Sequence, residues 1–168
     1  MPTIKFFTLA PDVVLPSLAT ESAACFDLAA WLVEDSEVLV YLHDKAAPTT
    51  QLVKGSEVVI QPFARALIPT GLIADIPEGY SLRAHPRSGL ALKNGIGLAN
   101  SEGVIDEDYV EPLFVILVNL SGMPVSIKNG MRIAQAELYK TVPTVIEQTL
   151  DRPSQKTSRI GGFGSTGT

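Results

Sequence analysis

Cysteine and histidine are nearly absent from this chain: 168 residues contain Cys25 alone and the two histidines His43 and His85. One cysteine excludes a disulfide framework, and with two histidines it leaves too few soft ligands for a Cys/His zinc site within one chain. No apolar run approaches membrane-spanning length, and the opening Met-Pro-Thr-Ile-Lys-Phe-Phe lacks the long apolar core of a signal peptide. The expectation is a cytoplasmic protein with no membrane association. Basic residues are also scarce, 13 Lys and Arg against 18 Asp and Glu for a formal net charge of -5. Direct nucleic-acid binding is therefore not expected, because it needs a basic stripe to displace counterions. A phosphorylated small molecule is still allowed, since a few placed arginines and a divalent cation suffice.

Sustained helical periodicity is missing too. In its place stand short β-prone runs: Ile4 to Leu9, Val38 to Leu42, Val58 to Ile60, Ala66 to Ile68, Tyr80 to Arg83, Leu113 to Val118, Val125 to Ile127 and Ile133 to Leu138. They are separated by Pro62, Pro69, Gly71, Pro77, Gly79, Gly122, Pro124 and Gly130. That punctuation indicates an all-β sandwich or barrel, in a chain long enough to bury a core without staples. One helical turn is expected near Ser88 to Leu92, with Ser88 as its cap. Residues 34–55 combine a strand with a loop at Ala46-Ala47-Pro48-Thr49-Thr50, and read as an exposed hairpin or flap, or as an arm for another protein. From Asp151 the chain turns polar and then glycine-rich. A mobile arm is expected there when nothing is bound.

The stretch with most chemistry runs from Asn100 to Tyr109, Asn-Ser-Glu-Gly-Val-Ile-Asp-Glu-Asp-Tyr. It is an ordinary turn by composition, yet it places one carboxylate, Asp106, between an amide side chain and an aromatic ring just before an apolar run. A carboxylate held in a strand-bound hairpin suits a general base that must keep one water in place. Pro86-Arg87-Ser88-Gly89-Leu90 offers a guanidinium, a hydroxyl and an unhindered amide in succession, which is either an anion site or a capped turn with a surface arginine. Asp27 stands alone among apolar neighbours and is either satisfied by backbone N–H groups or functional. Arg132 reads as a structural ion-pair partner, and Gln135 as structural or ligand-binding. The tail adds Arg159, three close glycines, Phe163, Ser165 and Thr166, a composition suited to phosphate oxygens and a base.

Five ordered segments together resemble the trimeric dUTP diphosphatase (dUTPase) family. They are Ala24-Cys25-Phe26-Asp27-Leu28, Pro86-Arg87-Ser88-Gly89-Leu90-Ala91, Gly103-Val104-Ile105-Asp106-Glu107-Asp108-Tyr109, Gly130-Met131-Arg132-Ile133-Ala134-Gln135 and Gly162-Phe163-Gly164-Ser165-Thr166-Gly167.

The resemblance implies a jelly-roll-like β domain over 1–150, with an expansion at about 34–55, and a flexible glycine-rich arm over 151–168. It implies a homotrimer whose sites lie between subunits, each arm closing a site built by the others. The implied reaction is hydrolysis of dUTP to dUMP and pyrophosphate with Mg²⁺ on the triphosphate, which limits uracil in DNA and supplies dUMP for thymidylate synthesis. In that scheme Asp106 deprotonates the water that attacks the α-phosphorus, and Asp27 supports a water ligand of the metal. Arg87, Ser88, Gly89 and Gln135 contact the phosphates, and Arg159, Phe163, Ser165 and Thr166 lie on the closing arm. Asn100 and the backbone at Val104 and Ile105 match the edge of uracil, and Tyr109 lies against the sugar and excludes a ribose 2′-hydroxyl.

Three features depart from the family pattern: Cys25 in place of glycine, Val110-Glu111-Pro112 after the tyrosine, and an Arg159 one residue nearer to Phe163. A related dCTP deaminase would need a glutamate in the strand after the central segment, and Phe114-Val115-Ile116-Leu117-Val118 has no acid. A nucleotide-dependent binding protein using the 34–55 expansion as its contact surface is the rival from another class.

Overall fold

The computed structural model of the chain describes residues 1–158. In chain order the elements are β1 (Lys5–Thr8), β2 (Phe26–Ala29), β3 (Glu37–Tyr41), β4 (Thr49–Leu52), β5 (Glu57–Ile60), β6 (Arg65–Pro69) and β7 (Leu72–Asp75). They continue as β8 (Tyr80–His85), α1 (Ser88–Asn94), β9 (Ile96–Leu98), β10 (Gly103–Ile105), β11 (Phe114–Asn119), β12 (Val125–Lys128) and β13 (Arg132–Lys140). No helix among the described residues is long and apolar enough to cross a membrane.

Two sheets carry the architecture, one of four strands in the order β10-β8-β13-β2 and one of five in the order β4-β3-β6-β11-β9. Burial alternates along their strands: β11 buries Val115, Leu117 and Asn119, and β6 buries Ala66 and Ile68. A single apolar cluster takes Leu28, Leu82, Ala84 and Ala136 from the first sheet and Val38, Ile68, Val115 and Leu117 from the second. The two sheets thus share one core, an all-β sandwich as the punctuated short strands indicated, of the jelly-roll-like kind that the resemblance implied. Full burial of Ile68 or Leu117 stabilises that core by about 1.5–3 kcal/mol each.

Two local devices hold the corners. Asn119 is fully buried, and its amide donates to the carbonyls of Ile60 at 2.9 Å and Met123 at 2.8 Å while its oxygen accepts from the Ser121 N–H at 2.9 Å. A buried amide with both ends satisfied closes the β11–β12 connection without leaving orphaned carbonyls. At the β6–β7 corner, Gly71 has φ +71°, and a Cβ there would meet Val13 Cγ2 at 2.5 Å. Only glycine fits both the backbone and the space.

Several expectations need correction. Thr49 and Thr50 lie in a strand, not a loop: Val40 pairs with Thr49 and Leu39 with Thr50, as β-branched residues favour. Residues 34–55 therefore form a hairpin, with β3 inside the five-stranded sheet, its Val38 and Val40 buried, and β4 at the edge. Strands β2, β7 and β9 were not among the expected runs, since each is short and two of them carry Asp27 or Gly97 in mid-strand. Ser88 does not cap α1. The chain leaves β8 still extended, so the N-cap falls on Arg87 (φ -94°, ψ 125°), and no side chain bonds the cap.

Candidate active site

The outer face of the four-stranded sheet is set by register. Asp27 of β2 lies opposite Gln135 of β13, and Gln135 lies opposite His85 of β8. Strand alternation points all three away from the core. Asp27 is not satisfied by backbone amides; two guanidinium groups hold it. Arg87 Nε lies 2.7 Å from Oδ1, and Arg132 Nη1 lies 3.0 Å from Oδ2. Arg132 is the ion-pair partner that its position suggested. Arg87 also donates through Nη1 to the Arg132 carbonyl at 3.2 Å, and Gln135 Nε2 donates to the Pro86 carbonyl at 3.0 Å. These contacts fix the turn that leads into α1.

Beside them opens a cleft of about 370 Å³ lined by Cys25, Asp27, Arg87, Ser88, Gly89, Arg132 and Gln135. The first-turn amides of α1 have no intrahelical acceptor. A Cβ at Gly89 would touch nothing within 4 Å, so that glycine leaves the mouth of the cleft open. Burial, then the Glu137 and Asp27 carboxylates, push the Cys25 thiol above its ordinary pKa.

A second cleft, of about 390 Å³, is lined by Asn100, Gly103, Val104, Ile105, Asp106 and Tyr109 above an apolar floor that includes Leu98 and Leu113. Strand β10 is an edge strand paired only with β8, Val104 opposite Arg83. One row of its backbone donors and acceptors therefore faces away from any neighbouring strand of the described chain. Gly103 is buried, and a Cβ there would sit 3.4 Å from both Ala84 Cβ and Asn100 Nδ2.

Beyond β10 the chain turns at Asp106, whose carbonyl accepts from the Tyr109 N–H at 3.2 Å. Tyr109 Oη donates to the Pro112 carbonyl at 3.1 Å, and Glu107 Oε2 accepts from the Gly79 N–H at 2.6 Å. No described group donates a hydrogen bond to the Asp106 carboxylate, which stays exposed at the rim. The segment is not a hairpin, however. Strand β10 belongs to the four-stranded sheet and β9 and β11 to the five-stranded one, so the segment crosses between sheets and is held at both ends.

The structure thus brings Asp27, Arg87, Ser88, Gly89 and Gln135 together in one cleft, and Asn100, Val104, Ile105, Asp106 and Tyr109 in another. The two clefts share no lining residue. Arg159, Phe163, Ser165 and Thr166 lie outside the described residues. Sequence reasoning missed an ionic cluster of Arg83, His85, Glu102 and Glu137 on the same outer face. Its only signal was the alternation of polar residues along Tyr80 to His85.

No group of three or more His, Cys, Asp or Glu side chains among the described residues is arranged to hold a metal ion. With both its oxygens held by arginines, Asp27 can accept from a water but cannot anchor a bare cation. That donor set does not fit a protein-caged metal. It does fit Mg²⁺ carried on a phosphate chain with most of its own waters.

A family model described as dUTPase matches residues 46–167, beginning inside the 34–55 stretch. A deoxyuridine triphosphate nucleotidohydrolase of Brucella melitensis is 38% identical over 99% of this chain and 94% of its own length. One from Dinoroseobacter shibae is 40% identical over 92% and 88%. Among solved structures, a mutant dUTPase of Staphylococcus bacteriophage 80alpha with dUpNHpp superposes with a TM-score of 0.75 at 20% identity, covering 99% of each chain.

Proposed function

The chain belongs to the dUTPase family and is a nucleotidohydrolase acting on dUTP, and from that premise we propose how its residues divide the work. The cleft at Asn100 to Tyr109 takes the deoxyuridine. Asn100 and the free edge of β10 at Val104 and Ile105 pair with the acceptor–donor–acceptor edge of uracil. Cytosine would leave those groups unpaired, which is the costly kind of mismatch. Tyr109, tied to the Pro112 carbonyl, closes over the sugar.

The cleft at Asp27 to Gln135 takes the triphosphate, with Arg87, Ser88, Gly89 and Gln135 donating to phosphate oxygens. Asp27 holds Arg87 in place and would support Mg²⁺ through a water, the ion supplying charge that neutralises the phosphate oxygens when bound. Asp106 removes a proton from a water. That water's oxygen bonds to the α-phosphorus as the bridging oxygen toward the β-phosphorus departs with pyrophosphate. Free of competing donors, the Asp106 carboxylate can take this proton.

The observation that carries the reading is the separation of the two clefts: each holds half of what hydrolysis needs, and neither is complete alone. A complete site then requires a second copy, supplying its Asp106 cleft to the first copy's Asp27 cleft. Residues 141–150 follow β13 as a segment outside any strand or helix, with Val142, Val145, Ile146 and Leu150 all at least 80% exposed. Apolar side chains so displayed fit burial against another copy. A homotrimer, with the 151–168 arm of each subunit closing a site through its Arg159, Phe163, Ser165 and Thr166, is the arrangement we infer. An enzyme with that chemistry would limit uracil in DNA and supply dUMP for thymidylate synthesis, and a cytoplasmic setting is the one we propose.

Pyrophosphate release with Mg²⁺ from dUTP, dCTP, dTTP and UTP tests this, with ammonia followed in the dCTP reaction. Selective release from dUTP is expected. Ammonia from dCTP would move the chain to the deaminase branch, and binding of dUTP without product would make it a nucleotide-dependent regulator.

A further inference from the structure

The ionic cluster on the outer face of the four-stranded sheet has no part in the scheme above. Glu102 stands two residues after Asn100 and two before Val104, in the turn between β9 and β10. Its Oε1 accepts from Arg83 Nη1 at 3.2 Å, and its Oε2 faces His85 Nδ1 at 3.8 Å. Both partners are themselves fixed. Arg83 donates through Nε to Ser81 Oγ at 3.1 Å and lies over the Tyr139 ring at 5.0 Å, while His85 Nε2 is 3.2 Å from Glu137 Oε1.

Ser81, Arg83 and His85 belong to β8, and Glu137 and Tyr139 to β13, two strands paired over six positions. Strand β10, by contrast, has three paired positions on β8 and, among the described residues, no strand on its other edge. The ladder that carries the base-reading backbone is thus short, and its preceding turn has just crossed from the other sheet. A side chain hydrogen-bonded to Arg83 and lying beside His85 on an already rigid surface supplies the orientation that so short a ladder lacks.

We propose that Glu102 is a positioning residue for base recognition, acting through Arg83 and His85 to set Asn100 and the edge of β10 against the uracil ring. This rests on the reading of Asn100 and Val104 as base contacts. The phosphate cleft is lined by none of these four residues. Glu102 therefore governs the base without governing the phosphates.

The test uses the full-length chain with Glu102→Ala, Glu102→Gln and Asn100→Ala, and measures kcat and KM for dUTP, inhibition by inorganic pyrophosphate, and the thermal midpoint. Glu102→Ala is expected to raise KM for dUTP about tenfold with kcat changed less than about threefold, the pattern of lost binding. Pyrophosphate inhibition and the thermal midpoint should not move. Glu102→Gln keeps an acceptor for Arg83 and should recover most of the loss. Asn100→Ala should weaken dUTP at least as much. An unchanged KM in Glu102→Ala beside an impaired Asn100→Ala overturns the positioning role alone. An unchanged Asn100→Ala overturns the base reading, and the positioning role with it. A matching loss of pyrophosphate inhibition, or a fall in the thermal midpoint in both Glu102 variants, would make the residue structural and overturn the proposal.

Discussion

Arg87 Nε lies 2.7 Å from Asp27 Oδ1, so the guanidinium proposed to meet phosphate is already oriented by a carboxylate. A guanidinium has five N–H donors, and the contacts to Asp27 and the Arg132 carbonyl engage two of them. Three remain for the ligand. Asp27 also holds Arg132 and is proposed to accept from a metal-bound water, so its charge serves three partners.

Asp27→Asn should therefore do more than weaken a salt bridge. The Mg²⁺ concentration for half-maximal rate is expected to rise roughly 10- to 100-fold, the scale for lost outer-sphere support of a metal. Stability should fall by about 1–2 kcal/mol, since Asp27 and Arg87 are partly shielded from water while Arg132 is well exposed. A Mg²⁺ titration of turnover beside urea denaturation measures both. An unchanged Mg²⁺ dependence would remove Asp27 from metal support and leave it a clamp for arginine.

Asp106 presents the opposite case, an exposed carboxylate to which no described group donates a hydrogen bond. Replacing it with asparagine should cost little stability, within about 0.5 kcal/mol. Turnover should drop by roughly 10²–10⁴-fold, the usual contribution of a general base. Binding of a non-hydrolysable dUTP analogue, followed by calorimetry, should persist. Near-normal turnover would take the base role away from Asp106.

Much of this was legible in the residues, for identifiable reasons. Short β-prone runs such as Leu113 to Val118 could be read as strands from their apolar and β-branched content, and the Gly and Pro between runs mark the corners. The grouping of Asp27 with Arg87 and Gln135 was legible only through the resemblance of the five segments and not from local pattern, because β2 pairs with β13 across more than a hundred residues of sequence. Asp27 also breaks the apolar pattern of its own strand. The crossing of Asn100 to Tyr109 between sheets was hidden for a related reason: local turn chemistry reads the same whether the next strand pairs back or leaves for another layer. Glu102 looked like one more turn residue until register put Arg83 and His85 beneath it. Asn119 is legible only as a polar end to an apolar run, since its partners are distant carbonyls.

The exposed apolar segment after β13 gives a prediction about assembly. Ile146 is 94% exposed in the single chain, so a charge there costs the isolated fold almost nothing. Ile146→Asp should nonetheless shift the protein from the proposed trimer to monomer in analytical ultracentrifugation. Activity should fall at low protein concentration and recover partly as concentration rises, by mass action on the shared site. A variant that stays trimeric with full activity would mean that residues 141–150 are not the contact.

Cys25 offers a chemical probe of the phosphate cleft without touching the groups proposed to act there. Its thiol is held above the ordinary range first by burial, then by the carboxylates of Glu137 and Asp27. A raised pKa means less thiolate at any given pH, and thiolate is the reactive form. Alkylation by iodoacetamide at pH 8 should therefore run slower than for a free thiol, with the midpoint of its pH profile displaced upward. Glu137→Gln removes one negative neighbour, so the midpoint should move down, but only part of the way because burial is the larger cause. Filling the cleft with a non-hydrolysable dUTP analogue and Mg²⁺ should slow the reaction further by covering the sulfur. If the analogue protects Asp106 variants and the parent chain alike, the triphosphate occupies the Asp27 cleft independently of the base. If it protects neither while binding tightly, the phosphates lie elsewhere and the assignment of Arg87, Ser88, Gly89 and Gln135 fails.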